Sequence, residues 1–216
     1  MKAHQSERTA SGRIQRTADK RAAVLEAAAK IFLGGGYLGT SVDDIAAQAG
    51  VAKQTIYTYF SNKEALFAAM VSALSNEASD RVHNNVEEFS DSDDLQTYLV
   101  RYAVRQLKVV LTPRILQLRR LVIGEAGRFP ELGAALYAGG PGRAIASLAA
   151  TFERLRKRGL LSLPDPMLAA TQFNWLIMSA PLNRAMLLGD ATIPNSKEIL
   201  EHAKQGVRMF LAAYAN

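Results

Sequence analysis

The apolar positions of this chain recur at three- and four-residue intervals, and no stretch alternates at period two for long. That spacing is the signature of helices buried on one face, so the chain reads as all-α, without a sheet. Thr17 is placed to cap a helix reaching about Gly34, with Val24, Ala28, Ile31 and Phe32 as its inward stripe. Two short helices follow, across Val42–Ala49 and Ala52–Tyr59, and a long one runs from Asn62 to about Phe89 with Leu66, Met70 and Leu74 in register. Leu95, Leu99, Tyr102 and Val109 mark the next. Thr112-Pro113, Phe129-Pro130 and Asp165-Pro166 each start a helix, since proline suits a first helical position. Gly139-Gly140-Pro141-Gly142 breaks the pattern, a helix spans about Arg143 to Arg158, and the last two close near Gly189 and the end of the chain, the final one opening at Ser196. Nine or ten helices are expected, in three segments. Residues 1–16 form a polar, basic, flexible arm, residues 17–63 a three-helix bundle, and residues 64–216 a larger helical domain.

Within the bundle, residues 40–63 carry the most specific pattern. Thr40 and Ser41 can each cap the first short helix, and Asp43 and Asp44 follow at capping-box spacing. Val42, Ile45, Ala46 and Ala49 give it one apolar face. Gly50 sits where the chain must turn sharply, Val51 follows as a buried plug, and Ile56 anchors the second helix. Lys53, Gln54, Thr55, Tyr57 and Tyr59 are left for other faces, a chemistry suited to a DNA groove. A glutamine amide pairs bidentately with adenine, and a lysine donates to guanine. Ser61-Asn62-Lys63-Glu64 fits a second capping box, whose free N–H groups and Lys63 suit a phosphate. The plainer alternative is a helical corner that Ala46, Gly50 and Ile56 merely stabilise. It leaves Lys53, Gln54, Tyr57, Tyr59 and Lys63 unexplained.

Charge sharpens this picture. The net charge is +6, and residues 1–63 hold nine Lys/Arg against five Asp/Glu, whereas residues 64–216 are close to balanced. Arg13 and Arg16 belong either to an unstructured tail or to an arm following the minor groove. The absence of cysteine excludes disulfides, thiolate metal sites and cysteine nucleophiles. No apolar run reaches membrane-span length and the N-terminus has no signal-like apolar core, which predicts a soluble, cytoplasmic protein. The triple glycine at 34–36 lacks the Gly-Lys-Ser/Thr of a phosphate loop, and the acidic run at 90–94 lacks the glycine and distal glutamate of a calcium loop. His4, His83 and His202 lack metal-ligand spacing and no serine sits in a nucleophile elbow, so no enzyme, metal or cofactor is expected.

Taken together, Thr40-Ser41-Val42, Ile45-Ala46, Ala49-Gly50-Val51, Thr55-Ile56-Tyr57, Tyr59-Phe60 and Asn62-Lys63-Glu64-Ala65-Leu66 resemble the TetR (tetracycline repressor) family of transcriptional regulators. Ala28, Phe32 and Gly36-Tyr37 extend the resemblance, which covers about the first third of the chain. Residues 120–132 resemble the effector domain of one subset of that family. The resemblance implies a homodimeric, ligand-responsive repressor on a palindromic DNA operator. In it Lys53, Gln54 and Tyr57 read bases, while Thr40, Ser41, Thr55, Tyr59 and Lys63 hold phosphates. A helical adaptor or peripheral membrane protein is the alternative, drawn from the basic run at Arg154, Arg156, Lys157 and Arg158.

The final two helices are apolar enough for a four-helix dimer interface as well as for a core. Phe173, Leu176, Ala180, Val207, Phe210 and Tyr214 are the candidates for that interface. Between them and the fourth helix, Tyr98, Tyr102, Arg119, Glu125, Phe129, Phe152, Asn174, Trp175 and Met178 mix aromatic and polar groups as a small-molecule pocket does. The same aromatic residues equally suit a packed core.

Overall fold

A computed structural model describes residues 2–83, 89–90 and 94–215, with the backbone alone for residues 2–16. The described residues form helices α1 (Lys2–Gly35), α2 (Val42–Ala49), α3 (Lys53–Tyr59), α4 (Lys63–His83), α5 (Leu95–Val110), α6 (Pro113–Glu125), α7 (Pro130–Tyr137), α8 (Arg143–Lys157), α9 (Pro166–Leu188) and α10 (Ser196–Tyr214). No strand occurs among them, only an isolated bridge between Leu161 and Ala215. The fold is all-α, as the periodicity predicts.

Two compact units divide between Ala73 and Leu74, so α4 contributes to both. That division lies further along α4 than residue 63, because Leu66, Phe67 and Met70 are buried. Phe67 stacks on Tyr37 at 5.0 Å and packs on Phe32 at 4.8 Å, the aromatic centre of the first unit. Val24, Ala28, Ile45 and Ile56 complete that core.

One helix end differs from the sequence reading. α1 begins at Lys2 rather than Thr17, so residues 2–16 of the expected arm are helical along their backbone. Residues 2–16 contain no proline and are rich in helix formers, so nothing in them halts a helix already running. The proposed placement of the Arg13 and Arg16 side chains lies outside the described residues. α4 ends at His83, and the continuation expected towards Phe89 falls on residues 84–88, also outside them.

In the second unit, Phe152, Phe173 and Phe210 form a mutual aromatic cluster with centroids 5.0–5.7 Å apart. Phe173, Val207 and Phe210 are buried within the chain itself, so they pack in its core rather than on the exposed face expected of a dimer interface. Sequence periodicity identified an apolar stripe but not which neighbour it meets. α9 and α10 approach so closely at Gly206 that a β-carbon there would lie 2.6 Å from Ile177 Cδ1. α9 also runs through Pro181, whose missing N–H leaves the Ile177 carbonyl without its own-helix donor. His202 of α10 fills the gap, its Nε2 donating to Ile177 O at 2.8 Å.

Candidate nucleic-acid interface and ligand cavity

The helix-turn-helix is built by local hydrogen bonds. Ser41 N-caps α2 in a full capping box: its Oγ accepts from Asp44 N and its own N–H donates to Asp44 Oδ2, each at 3.1 Å. The Ser41 hydroxyl and backbone bonds hold the Asp44 carboxyl below the usual carboxylate range. Thr40 is not the cap. Its side chain is buried and its hydroxyl donates to Gly36 O at 2.8 Å, so it has no free hydroxyl for a phosphate. Gly50 closes α2 at φ 64°, the left-handed conformation that excludes most side chains, and Val51, only half-buried, returns its N–H to Ala46 O.

On α3, Ile56 is buried while Lys53, Gln54, Tyr57 and Thr58 are exposed and Thr55 and Tyr59 half-buried. Gln54 therefore carries a free amide on the outer face. Lys53 Nζ instead bonds Asp43 Oδ2 at 2.8 Å, a contact that raises its pKa. The start of α4 also differs from the predicted box. Asn62 rather than Ser61 caps it, accepting from Ala65 N at 2.7 Å, and Glu64 instead accepts from the Tyr37 hydroxyl at 2.8 Å. Lys63 Nζ lies 4.4 Å above the Tyr37 ring.

The second unit holds a small cavity of about 50 Å³ that opens to solvent. α4 lines it with Ser75, Ala78, Ser79, Val82 and His83, α5 with Gln106, Val109 and Val110, and α6 with Ile115, Leu118 and Arg119. Asn174, Trp175, Met178 and Leu182 of α9 form another wall. Arg119, Asn174, Trp175 and Met178 are thus brought together as the sequence suggests. The other five candidates are not. Tyr98, Tyr102 and Phe152 are buried in the core, and Glu125 and Phe129 lie at the α6–α7 corner, where Glu125 O accepts from Phe129 N at 2.8 Å. Their aromatic spacing fits a core equally well, so periodicity could not separate the two.

Gln106 and His83 were missed. The signal for Gln106 was available: it is polar at a position continuing the apolar stripe of Leu99, Tyr102 and Ala103. Its Nε2 donates to Asn174 Oδ1 at 2.7 Å. His83 Nδ1 contacts Ser79 O at 2.7 Å, and Tyr102 OH lies 3.4 Å from its Nε2, an arrangement suiting the neutral ring. Burial lowers the His83 pKa, and burial pushes the Tyr102 hydroxyl up. Among the described residues no three His, Cys, Asp or Glu side chains gather as a metal site, and no helix is long and apolar enough to cross a membrane.

A capped helix, a left-handed glycine turn and an exposed polar helix, joined in sequence to a helical unit with an internal cavity, define a helix-turn-helix transcriptional regulator. Residues 97–216 match the family model of the AefR-like transcriptional repressor C-terminal domain, and residues 24–70 that of the bacterial regulatory proteins, tetR family. The chain belongs to the TetR family. A crystal structure assigned to that family, from Mesorhizobium loti MAFF303099, is 36% identical with a TM-score of 0.88, over 93% of this chain and 99% of that one. The flavonoid-responsive regulator FrrA is 32% identical with a TM-score of 0.75, over 92% and 98%. Among curated proteins, the uncharacterised HTH-type regulator YhgD of Bacillus subtilis (strain 168) is 41% identical over 69 residues, 32% of this chain and 36% of that protein. The chain spans only about a third of the length of the curated relatives it matches.

Proposed function

We propose that this regulator is a homodimeric repressor that binds a palindromic operator through α3 and is released when a small molecule fills the cavity of the second unit. The observation that carries the reading is the outer face of α3, where Lys53, Gln54 and Tyr57 are exposed opposite buried Ile56. These three side chains read base edges. Thr55, Tyr59 and Lys63 hold phosphates, whereas the Ser41 hydroxyl and N–H are both engaged by Asp44 and the Thr40 hydroxyl by Gly36 O. One short helix reads few base pairs, so a two-fold dimer on an inverted repeat supplies the rest of the specificity. Leu176, Ala180 and Leu187 of α9, with Met209 of α10, form the partner-facing surface, since Ala180, Leu187 and Met209 are exposed and Leu176 is half-buried.

Release follows from one continuous helix. α4 carries Lys63 at its start and cavity residues from Ser75 to His83 towards its end. An effector that binds one position of α4 better than the other shifts the separation of the two α3 helices and weakens the operator complex. The flavonoid response of FrrA supports a small organic effector. The experiment is selection of the purified protein on a random duplex library, followed by transcription in vitro from a promoter carrying the enriched sequence. An enriched inverted repeat whose occupancy silences transcription is the expected result. Enrichment with stimulated transcription removes the repressor role, and no enrichment removes operator recognition by the free protein.

A further inference from the structure

Two lysines of the first unit are held in different ways. Lys53 Nζ bonds the Asp43 carboxylate at 2.8 Å. Lys63 Nζ stands 4.4 Å above the centre of the Tyr37 ring, and among the described residues no carboxylate bonds it. The difference bears on a phosphate contact. A carboxylate competes with a phosphate for the same N–H donors. An aromatic face attracts the charge through its quadrupole and leaves the donors on the far side open. A lysine carries a compact charge on a flexible four-carbon stem, so an ammonium loose in solvent must be ordered when DNA arrives. One already seated on a ring is ordered beforehand.

Tyr37 is itself fixed. It is 3% exposed, its ring stacks on Phe67 at 5.0 Å and on Phe32 at 5.9 Å, and its hydroxyl donates to Glu64 Oε1 at 2.8 Å. Glu64 and Phe67 lie in the opening turns of α4, which also carry Lys63. Ring and ammonium are thus set against the same stretch of one helix. The hydroxyl also draws the Glu64 carboxylate to Tyr37 rather than to the neighbouring lysine.

We propose that Tyr37 is a positioning residue for DNA binding: its ring seats the Lys63 ammonium at the start of α4 and presents it to a backbone phosphate. This assignment rests on Lys63 being a phosphate contact and adds the residue that orders it. Tyr37 need not touch DNA, since it acts through Lys63.

Phosphate contacts act on every sequence, so the probe is a mixed-sequence duplex of about 30 base pairs, titrated with the full-length protein over a series of salt concentrations. Lys63→Gln should lower the magnitude of the slope of log affinity against log salt by about 0.9 per bound protomer. Phenylalanine, and phenylalanines carrying one, two and three ring fluorines, are then placed at position 37. All keep the ring and its stack on Phe67, while each fluorine weakens the negative face. Tyr37→Phe should bind within about twofold of wild type. Affinity should then fall stepwise, by about two- to fivefold per protomer at three fluorines. In the Lys63→Gln background the series should be level, a coupling that packing alone does not produce. Circular dichroism and Tm establish that each variant is folded. A slope unchanged by Lys63→Gln takes Lys63 off the phosphate list and the proposal with it. A slope flattened by Lys63→Gln, beside a fluorine series that is level, equally steep in both backgrounds, or rising in affinity, overturns the seat alone and leaves the Lys63 contact standing.

Discussion

Asp43 and Lys53 show how much a single residue decides on α3. Their side chains bond at 2.8 Å with both well exposed, so solvent screening leaves the pair weak. Asp43 also places a negative charge beside the proposed DNA face. Asp43→Asn frees Lys53 and removes that repulsion, so operator affinity measured by fluorescence anisotropy should rise a few-fold; weaker binding would show that Asp43 positions Lys53 for DNA. Gln54→Ala should cost about 1–3 kcal/mol at one base pair per half-site and relax specificity there. Equal weakening on every single-base variant would assign Gln54 to the backbone instead. His83 sets a pH dependence. Burial, aided by Arg143 and Arg105, holds its folded pKa below the ordinary 6.5, against raising contributions from the Ser79 carbonyl and Asp80. The unfolded chain therefore binds the proton first, so stability is full above about pH 6.5 and is lost as pH falls through the depressed folded value. Denaturant unfolding between pH 7 and 5 should show this loss, and His83→Gln should flatten it; an unchanged slope would assign it to other groups. At this scale the sequence was legible where chemistry and position coincide, as at Gln54 and Ile56. It was not legible at Thr40, whose inward turn depends on the nearby Gly36 carbonyl in three dimensions.

Elements were easier to read than their ends. Pro113, Pro130 and Pro166 stand in the first turns of α6, α7 and α9, and Asp165 caps α9 by accepting from Met167 N and Leu168 N. These signals are local, so periodicity and caps locate them. The extension of α1 before Thr17 and the choice of Asn62 over Ser61 are decided by small differences between competing caps. Pro181 is an interior proline inside the long helix that the sequence reading runs to Gly189, and α10 supplies the donor it lacks from His202. Loss of that donor leaves a carbonyl unsatisfied, so His202→Ala should destabilise the protein by about 1–3 kcal/mol. In a Pro181→Ala background, where residue 181 can again donate to Ile177 O, the loss should shrink. Equal losses in both backgrounds, measured by urea unfolding, would show that His202 acts by packing alone.

At the scale of the whole molecule, the proposed dimer turns on which apolar surface is left exposed for a second copy. Periodicity places Phe173 and Phe210 on stripes, but only packing shows that they are enclosed within the chain's own core. Leu187, 80% exposed, and Ala180 remain as the proposed contact. Ala180→Glu/Leu187→Glu should halve the mass seen by light scattering while retaining helical content; an unchanged mass would move the interface elsewhere. The measurement that tests the account most directly is the binding isotherm of the wild-type protein on a full inverted repeat and on a single half-site, at two salt concentrations. The account predicts two protomers per full site, a much weaker half-site complex, and a steep fall in affinity with salt as phosphate contacts release counterions. One protomer binding either duplex equally would contradict it.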